Sequence, residues 1–516
     1  MASKREIFRR SILVSCFSLL GGLTGVVIEM SIAARLGLSK GSDTFYVAYT
    51  VPYVITNLLA ATSQFSLVPF FGALEARQSP EDLWKGFSYV LNMFILGLGG
   101  IALVGIVAAP WVIRGIAPGF TPQQTMLAAQ LTRWLFPIIL PAGVAEVFRS
   151  FLYSQRRFAL SSAAGFFCNM VVIASVIGTF HRMNYYSVVM GYLVGYCVSF
   201  TITGTQIMIS FPARYTFELR GSGPAFRNLH GAGRAQLGGA LAWQGTVIVE
   251  RIIASFLPAG TLTALGYGLK IMSALSDLLA GNVATVSFPA LSRAVAHKAQ
   301  AMERKIFRDT LEISFVFVLA AVILCLLLNR SIIRLVFERG NFTTESTQLL
   351  ATVFFYYSLA LLPFAFTRVL TFCLFARLES KTYLRFAAFL YGLTIIFDLI
   401  YVGGMGWGAR GIPMGLLTAC LITSGLAYRR NIADLRIIFD RSMGWFAAKN
   451  LLGGSIAALA IVGLRLYIPY PLTAGANFLY LCEICGAGTL VFFAVLAATR
   501  AVPLAEIVAE FRSTED

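Results

Sequence analysis

Residues Gly245 to Lys270 read GTVIVERIIASFLPAGTLTALGYGLK, which sets Glu250, Arg251 and Lys270 inside segments otherwise apolar enough to lie in a bilayer. On insertion scales a charged side chain at the centre of a membrane helix costs roughly 2.5 to 3.5 kcal/mol, so such groups face a bundle interior or a watery cavity. The stretch predicts the wall of a central polar cavity between membrane helices.

The rest of the chain agrees. Of its 516 residues 58% are hydrophobic and 13% charged, and the mean hydropathy is +0.76, too apolar for a soluble multidomain protein. Apolar runs of about 20 residues bounded by Gly, Pro or charge recur about fourteen times, predicting an all-α polytopic membrane protein. The first run, Ser11 to Ala34, is long enough to span and lacks an A-x-A cleavage site, so it reads as a helix rather than a removed signal. The net charge of +17 is spread over short loops, as positive-inside sorting produces, which argues against a nucleic-acid partner. With both termini cytoplasmic, Arg156 and Arg304 fall in inner loops and Lys40 and Phe342 in outer ones.

An internal repeat of roughly 220 residues organises these spans. VVIEMSIAA from Val26 returns as VIVERIIAS from Val247, matching Glu29 to Glu250. Pro69 and Pro289, Phe120-Thr121 and Phe342-Thr343, and Pro141 and Pro363 follow in the same order. A six-helix unit repeated in parallel predicts two lobes with a site between them. The N-lobe covers 1–210, a basic cytoplasmic linker 211–234, the C-lobe 235–430, and 431–516 holds two extra helices and a tail.

Parts for catalysis are missing. His181, His230 and His297 are scattered in loops, so no zinc site or His-based triad is indicated, and the chain reads as no enzyme. The lone CxxC at Cys482 and Cys485 has no second pair beside it. Polar residues within the spans are more numerous: Glu29, Asn57, Glu146, Arg149, Asn169, Glu250, Arg251, Lys270, Asp277, Arg368 and Asp398. Lys270, Ser273 and Asp277 share a helical face. The structural alternative is that these residues form packing ion pairs, Lys270 with Asp277 or Glu250 with Arg251. Glu146, Arg149 and Arg368, near the inner ends of their spans, are expected to snorkel to headgroups.

The stretches SDTFYVAYTVP from Ser42, APWVIRGIAPGF from Ala109, ASFLPAGTLTALGYGLKIM from Ala254, LVFERGNFT from Leu335 and LFARLESKT from Leu374 resemble the MurJ (MviN) family of lipid II flippases, in the multidrug/oligosaccharidyl-lipid/polysaccharide exporter superfamily. The resemblance runs nearly end to end. It implies fourteen helices, two lobes around a cationic cavity, and alternating access that moves an undecaprenyl-diphosphate-linked disaccharide-pentapeptide outward across a bacterial inner membrane. The helix-eight arginine of the family is matched by Lys270, its helix-one acid by Glu29 and the aspartate before helix two by Asp43. The family's helix-one arginines fall on Gly22 and Ile28, and its helix-two arginine and glutamate on Thr56 and Ala61.

The reading that follows is a flippase for a polyprenyl-diphosphate-linked glycolipid, lipid II first. Lys270, Arg251, Glu29, Asp43, Glu250, Asp277 and Asn57 are its candidate cavity residues, since basic groups in a low-dielectric cavity attract a diphosphate without chemistry. Alternatives are an exopolysaccharide or O-antigen repeat-unit flippase, a cation-coupled drug exporter and a membrane scaffold. No cofactor is expected beyond coupling to sodium or protons. The resemblance places that cation at Glu250, Thr394 and Asp398, the last two spaced i, i+4 on one face. The chain is expected as a monomer among membrane lipids, with cell-wall synthesis proteins as candidate partners.

Overall fold

The computed structural model describes residues 4–77, 80–155, 157, 159–212, 215–221, 234–468 and 474–499. Arg156, the linker stretch 222–233 and both termini lie outside them. Among the described residues every regular element is helical: α1 Lys4–Leu36, α2 Lys40–Arg77, α3 Pro80–Ile116, α4 Pro122–Leu135, α5 Ile139–Ser154, α6 Ala159–Met183, α7 Tyr185–Ser210, α8 Arg234–Ala254, α9 Thr261–Ser276, α10 Asn282–Ala296, α11 Gln300–Phe337, α12 Thr344–Ala376, α13 Ser380–Asp398, α14 Gly411–Arg429, the single turn α15 Leu435–Ile438, α16 Arg441–Tyr467 and α17 Ala474–Ala498. A 3₁₀ turn at Phe136–Ile138 joins α4 to α5, and a π-helical turn at Asp277–Gly281 joins α9 to α10.

Twelve of these segments are long and apolar enough to cross a membrane. The more polar α1 and α8, of 33 and 21 residues, are further long helices, at positions where the sequence predicts spans. The chain is a multi-pass membrane protein.

Helix boundaries follow local chemistry. Thr121 starts α4 with a reciprocal capping box to Gln124 and proline at the first turn, satisfying backbone donors that the helix itself leaves open. Its repeat mate Thr343 caps α12 by accepting from the Ser346 amide at 3.3 Å. Asp440 caps α16 through the Met443 amide at 2.8 Å.

Packing divides the chain into two compact units, Met1–Thr263 with Arg339–Phe342, and Ala264–Glu338 with Thr343–Asp516. The repeat assigns α8 to the second half, whereas packing places it in the first unit, against α2 and α3. Internal homology and compactness are different properties, and α8 separates them. The first unit's core is aromatic, with Phe71, Trp84, Phe87, Phe148 and Phe151 buried together. Where α6 meets α7, a Cβ on Gly195 would stand 2.9 Å from the Cys168 carbonyl oxygen, so a small residue is what lets these helices approach.

In the second unit the two helices beyond the repeat pack on α11. Phe492 and Leu496 of α17 and Ala457 of α16 meet Val316 and Leu319, and Ile461, Tyr480 and Ile484 meet Leu328. An ionic cluster joins α11, α12 and the turn before α16. Arg377 bonds Glu303 and, at 3.0 Å, Asp434, which also accepts from Arg304 at 3.1 Å. Arg308 binds Glu312 at 2.7 Å and Asp440 at 3.2 Å. Burial would raise the Asp434 carboxyl, but bonds from Arg377 and Arg304 outweigh it and hold the group below the usual carboxylate range.

Candidate functional site

In the first unit, Asp43 sits in the first turn of α2 and is 5% exposed. Its Oδ2 accepts from the Gly260 amide at 2.6 Å, and its Oδ1 from the Thr263 amide at 2.8 Å and the Thr263 hydroxyl at 2.6 Å. The expectation that Asp43 faces substrate is therefore corrected: both oxygens close off the backbone donors at the start of α9, the position where a carboxylate is most useful to a helix.

Other ties in this unit follow the repeat. The Gly119 amide donates to Ser255 Oγ at 3.1 Å, just past the end of α8. In the repeat-related loop, the Asn341 amide donates to Ala34 O and its Nδ2 to Arg35 O, both at 2.7 Å, at the end of α1. Approach is tight enough to need glycine: at Gly340, with φ +61°, a Cβ would lie 2.3 Å from Ala34 O, and at Gly119 2.4 Å from Ser255 O. The two members of the repeat's VIE/IVE pair also differ. Tyr46 donates to Glu29 Oε2 at 2.6 Å, while Glu250 is half-buried on α8 and neighbouring Arg251 donates to Leu262 O at 2.9 Å.

A polar cavity of about 350 Å³ lies within this unit among α1, α2, α5, α6 and α7. Glu146 and Arg149 form an ion pair on its wall, so the expectation that they snorkel to headgroups is corrected. Their spacing of three residues turns both toward the same face, and that face of α5 lines the cavity. Asn57, which the sequence reading assigned to a central cavity between lobes, lines this cavity inside the first unit, its Nδ2 donating to Tyr53 O at 2.9 Å. Thr56, the position at which the resemblance implies an arginine, lines the same cavity. Here the cation of this cavity is Arg149, on a different helix.

In the second unit Lys270 is half-buried on α9. Asp277 opens the π-helical turn and pairs with Arg368 of α12, so Arg368, expected to snorkel, has a carboxylate partner instead. Thr394 and Asp398 on α13 are both fully buried. The Thr394 hydroxyl donates to Leu390 O at 3.0 Å, which keeps its oxygen lone pairs available. Gly415 of α14 comes so close that a Cβ there would stand 2.0 Å from Asp398 Oδ1. Glu250 belongs to the first unit and Thr394 and Asp398 to the second. Among the described residues no three His, Cys, Asp or Glu side chains cluster as a metal site.

Sequence reasoning missed Tyr46, Thr263 and Tyr196, the last on the cavity wall. A tyrosine or threonine in an apolar run carries no charge to mark it, so no signal was available.

Comparison with known proteins covers nearly all of the chain. The family model for the lipid II flippase MurJ matches residues 32–482. The probable lipid II flippase MurJ of Buchnera aphidicola subsp. Baizongia pistaciae is 23% identical over 505 residues, covering 94% of this chain and 96% of that protein. The lipid II flippase MurJ of Burkholderia cenocepacia is 24% identical over 472 residues, 89% of each. The fold matches a solved lipid II flippase MurJ in an inward closed conformation with a TM-score of 0.79 at 19% identity, over 95% of this chain and 98% of that one. It also matches an inward-facing multidrug resistance MATE family transporter at 0.67 and 14%, over 83% and 99%. With a family model spanning well over half of its length, this chain belongs to the lipid II flippase MurJ family.

Proposed function

We propose that this protein flips lipid II, the polyprenyl-diphosphate-linked glycolipid precursor of peptidoglycan, across the bacterial inner membrane by alternating access. The observation that carries the reading is the family match across 32–482. The chain's membrane-embedded polar groups support it, because they would cost free energy without return in a bundle that only filled space. The moving bodies are the repeat halves, 1–210 and 235–430, and the loop basic residues support an orientation with both termini cytoplasmic. Lys270 and Arg251 are the groups that meet the diphosphate, and catalysis is no part of the cycle.

The missing helix-one and helix-two arginines, at Gly22, Ile28 and Thr56, favour one second reading, a flippase for an exopolysaccharide or O-antigen repeat unit. Complementation of a strain depleted of its lipid II flippase decides between them. Rescue supports lipid II; failure, with the protein present in the membrane, overturns it in favour of the second reading. Lys270→Glu should abolish rescue and Lys270→Arg should keep it, since arginine retains the charge and binds phosphate in a bidentate manner.

Coupling to a cation belongs to Asp398 and Thr394. A carboxylate and a hydroxyl one turn apart, fully buried, suit a hard cation that takes oxygen ligands, and the same carboxylate can carry a proton. Asp398→Asn should leave lipid II binding intact while removing any stimulation of flipping by an imposed sodium or proton gradient. Equal stimulation of wild type and variant would exclude Asp398.

A further inference from the structure

We infer that the cavity among α1, α2, α5, α6 and α7 is a subsite for the glycan of the lipid-linked substrate, an inference that rests on the flippase reading above. Three observations carry it. The cavity's charges cancel, because Glu146 and Arg149 are paired on its wall. A diphosphate entering it would meet a carboxylate as well as a guanidinium, whereas a neutral sugar meets an alternation of acceptor and donor at close spacing, the pattern that vicinal hydroxyls fill.

The uncharged groups are arranged for the same purpose. Asn57 fixes its Nδ2 on Tyr53 O at 2.9 Å, and Asn169 fixes its Nδ2 on Gly21 O at 3.1 Å and Thr24 Oγ1 at 3.0 Å. Each amide is thereby oriented by its own protein, leaving its Oδ1 as an acceptor in a cavity wall to which Tyr196 also contributes. Preoriented acceptors select hydroxyl groups with little ordering cost.

Aromatic rings complete the wall. Phe17 and Phe166, with ring centroids 6.4 Å apart, and Tyr53 and Tyr196 offer apolar faces to the C–H side of a sugar ring. A volume of about 350 Å³ has room for a single sugar ring. Asn57, Glu146, Arg149, Asn169 and Tyr196 are only half-buried, so the cavity is reachable.

The test compares binding of lipid II and of undecaprenyl diphosphate, which shares the lipid and diphosphate but lacks the glycan, by native mass spectrometry of the purified full-length protein. Wild type should prefer lipid II. Asn57→Leu and Tyr196→Phe, each removing hydrogen-bonding capacity while keeping bulk, should each shrink that preference by about tenfold, the equivalent of one good hydrogen bond. Thermal midpoints near that of wild type establish that the variants fold; a variant that does not fold is replaced by Asn57→Ser, for which the same loss is expected. Weakening of both lipids in equal measure would assign the cavity to the diphosphate and overturn the inference. An unchanged preference would overturn it too while leaving the flippase reading standing. Wild type that binds neither lipid would overturn the flippase reading and the subsite together.

Discussion

The ties at Asp43, Gly119, Gly340 and Asn341 and the ionic cluster at Glu303, Arg304, Arg377 and Asp434 both hold helix ends, by opposite chemistry. The ties use backbone groups, short side chains and glycines that admit no Cβ. The cluster uses long side chains that reach over distance. A backbone tie is short-ranged and close to all-or-none, because a shift of an ångström breaks it. A cluster of arginines can follow a moving helix by changing rotamers, at the cost of screening by water and salt. In a transporter the first kind defines a state, and the second tolerates a change of state. Gly340→Ala should break this contrast most severely. It adds a left-handed alanine, at about 1 kcal/mol or more, to a Cβ only 2.3 Å from Ala34 O, a total of about 3 kcal/mol. Gly119→Ala meets an equally close oxygen without positive φ and should lower the thermal midpoint less. If both leave the midpoint of purified protein unmoved, these loops are not rigid ties.

Next in size is Asp43→Asn. The carboxylate accepts three bonds, and an amide turns one acceptor into a donor facing a backbone N–H, a loss of about 2 kcal/mol. The stability loss should come with reduced flipping. If flipping falls while the thermal midpoint holds, Asp43 contacts substrate after all and its cap is incidental.

Asp43 also marks the limit of what the sequence revealed. The spans, the repeat and the family were legible because hydrophobic length and ordered motifs are local or collinear signals. Asn57 drew notice as an amide inside an apolar run, but its place on a cavity among α1, α2, α5, α6 and α7 did not show in the sequence. Asp43 was not legible, since its partners lie 217 and 220 positions away and nothing in its neighbourhood distinguishes a cap from a ligand. Glu146 and Arg149 were misjudged for a related reason: depth along a helix is visible in sequence, but which face meets a cavity depends on the helices around it. The pairing of Asp277 with Arg368 joins residues 91 positions apart on two helices, a proximity that periodicity along one helix does not show.

Smaller effects separate the two repeat-related loops. Asn341→Ala removes one bond, from Nδ2 to Arg35 O, and keeps the backbone bond to Ala34. Ser255→Ala removes the acceptor of the Gly119 amide, the one it has among the described residues. Each should cost about 1 kcal/mol. The double variant should cost close to the sum if the loops are independent, and clearly more if they hold one cooperative structure, which a double-mutant cycle on thermal unfolding measures.

The smallest expected effect belongs to the ionic side of the contrast. Asp434 is held below the ordinary carboxylate range, burial notwithstanding, by Arg377 and Arg304. A depressed folded-state value means that ionised Asp434 contributes stability above its unfolded value, ~3.9, and that this contribution disappears as the pH falls through the folded value. The group is a quarter exposed, so screening limits the contribution to under about 1 kcal/mol. Wild type should therefore exceed Asp434→Asn in thermal midpoint by a small margin at pH 7, and the margin should close as the pH is lowered below 4. High salt should narrow it too, whereas the margin between wild type and Asn341→Ala, which rests on an uncharged tie, should be insensitive to both. If the Asn341→Ala margin titrates along with that of Asp434→Asn, the division between geometric ties and ionic cluster is wrong, and charge governs both.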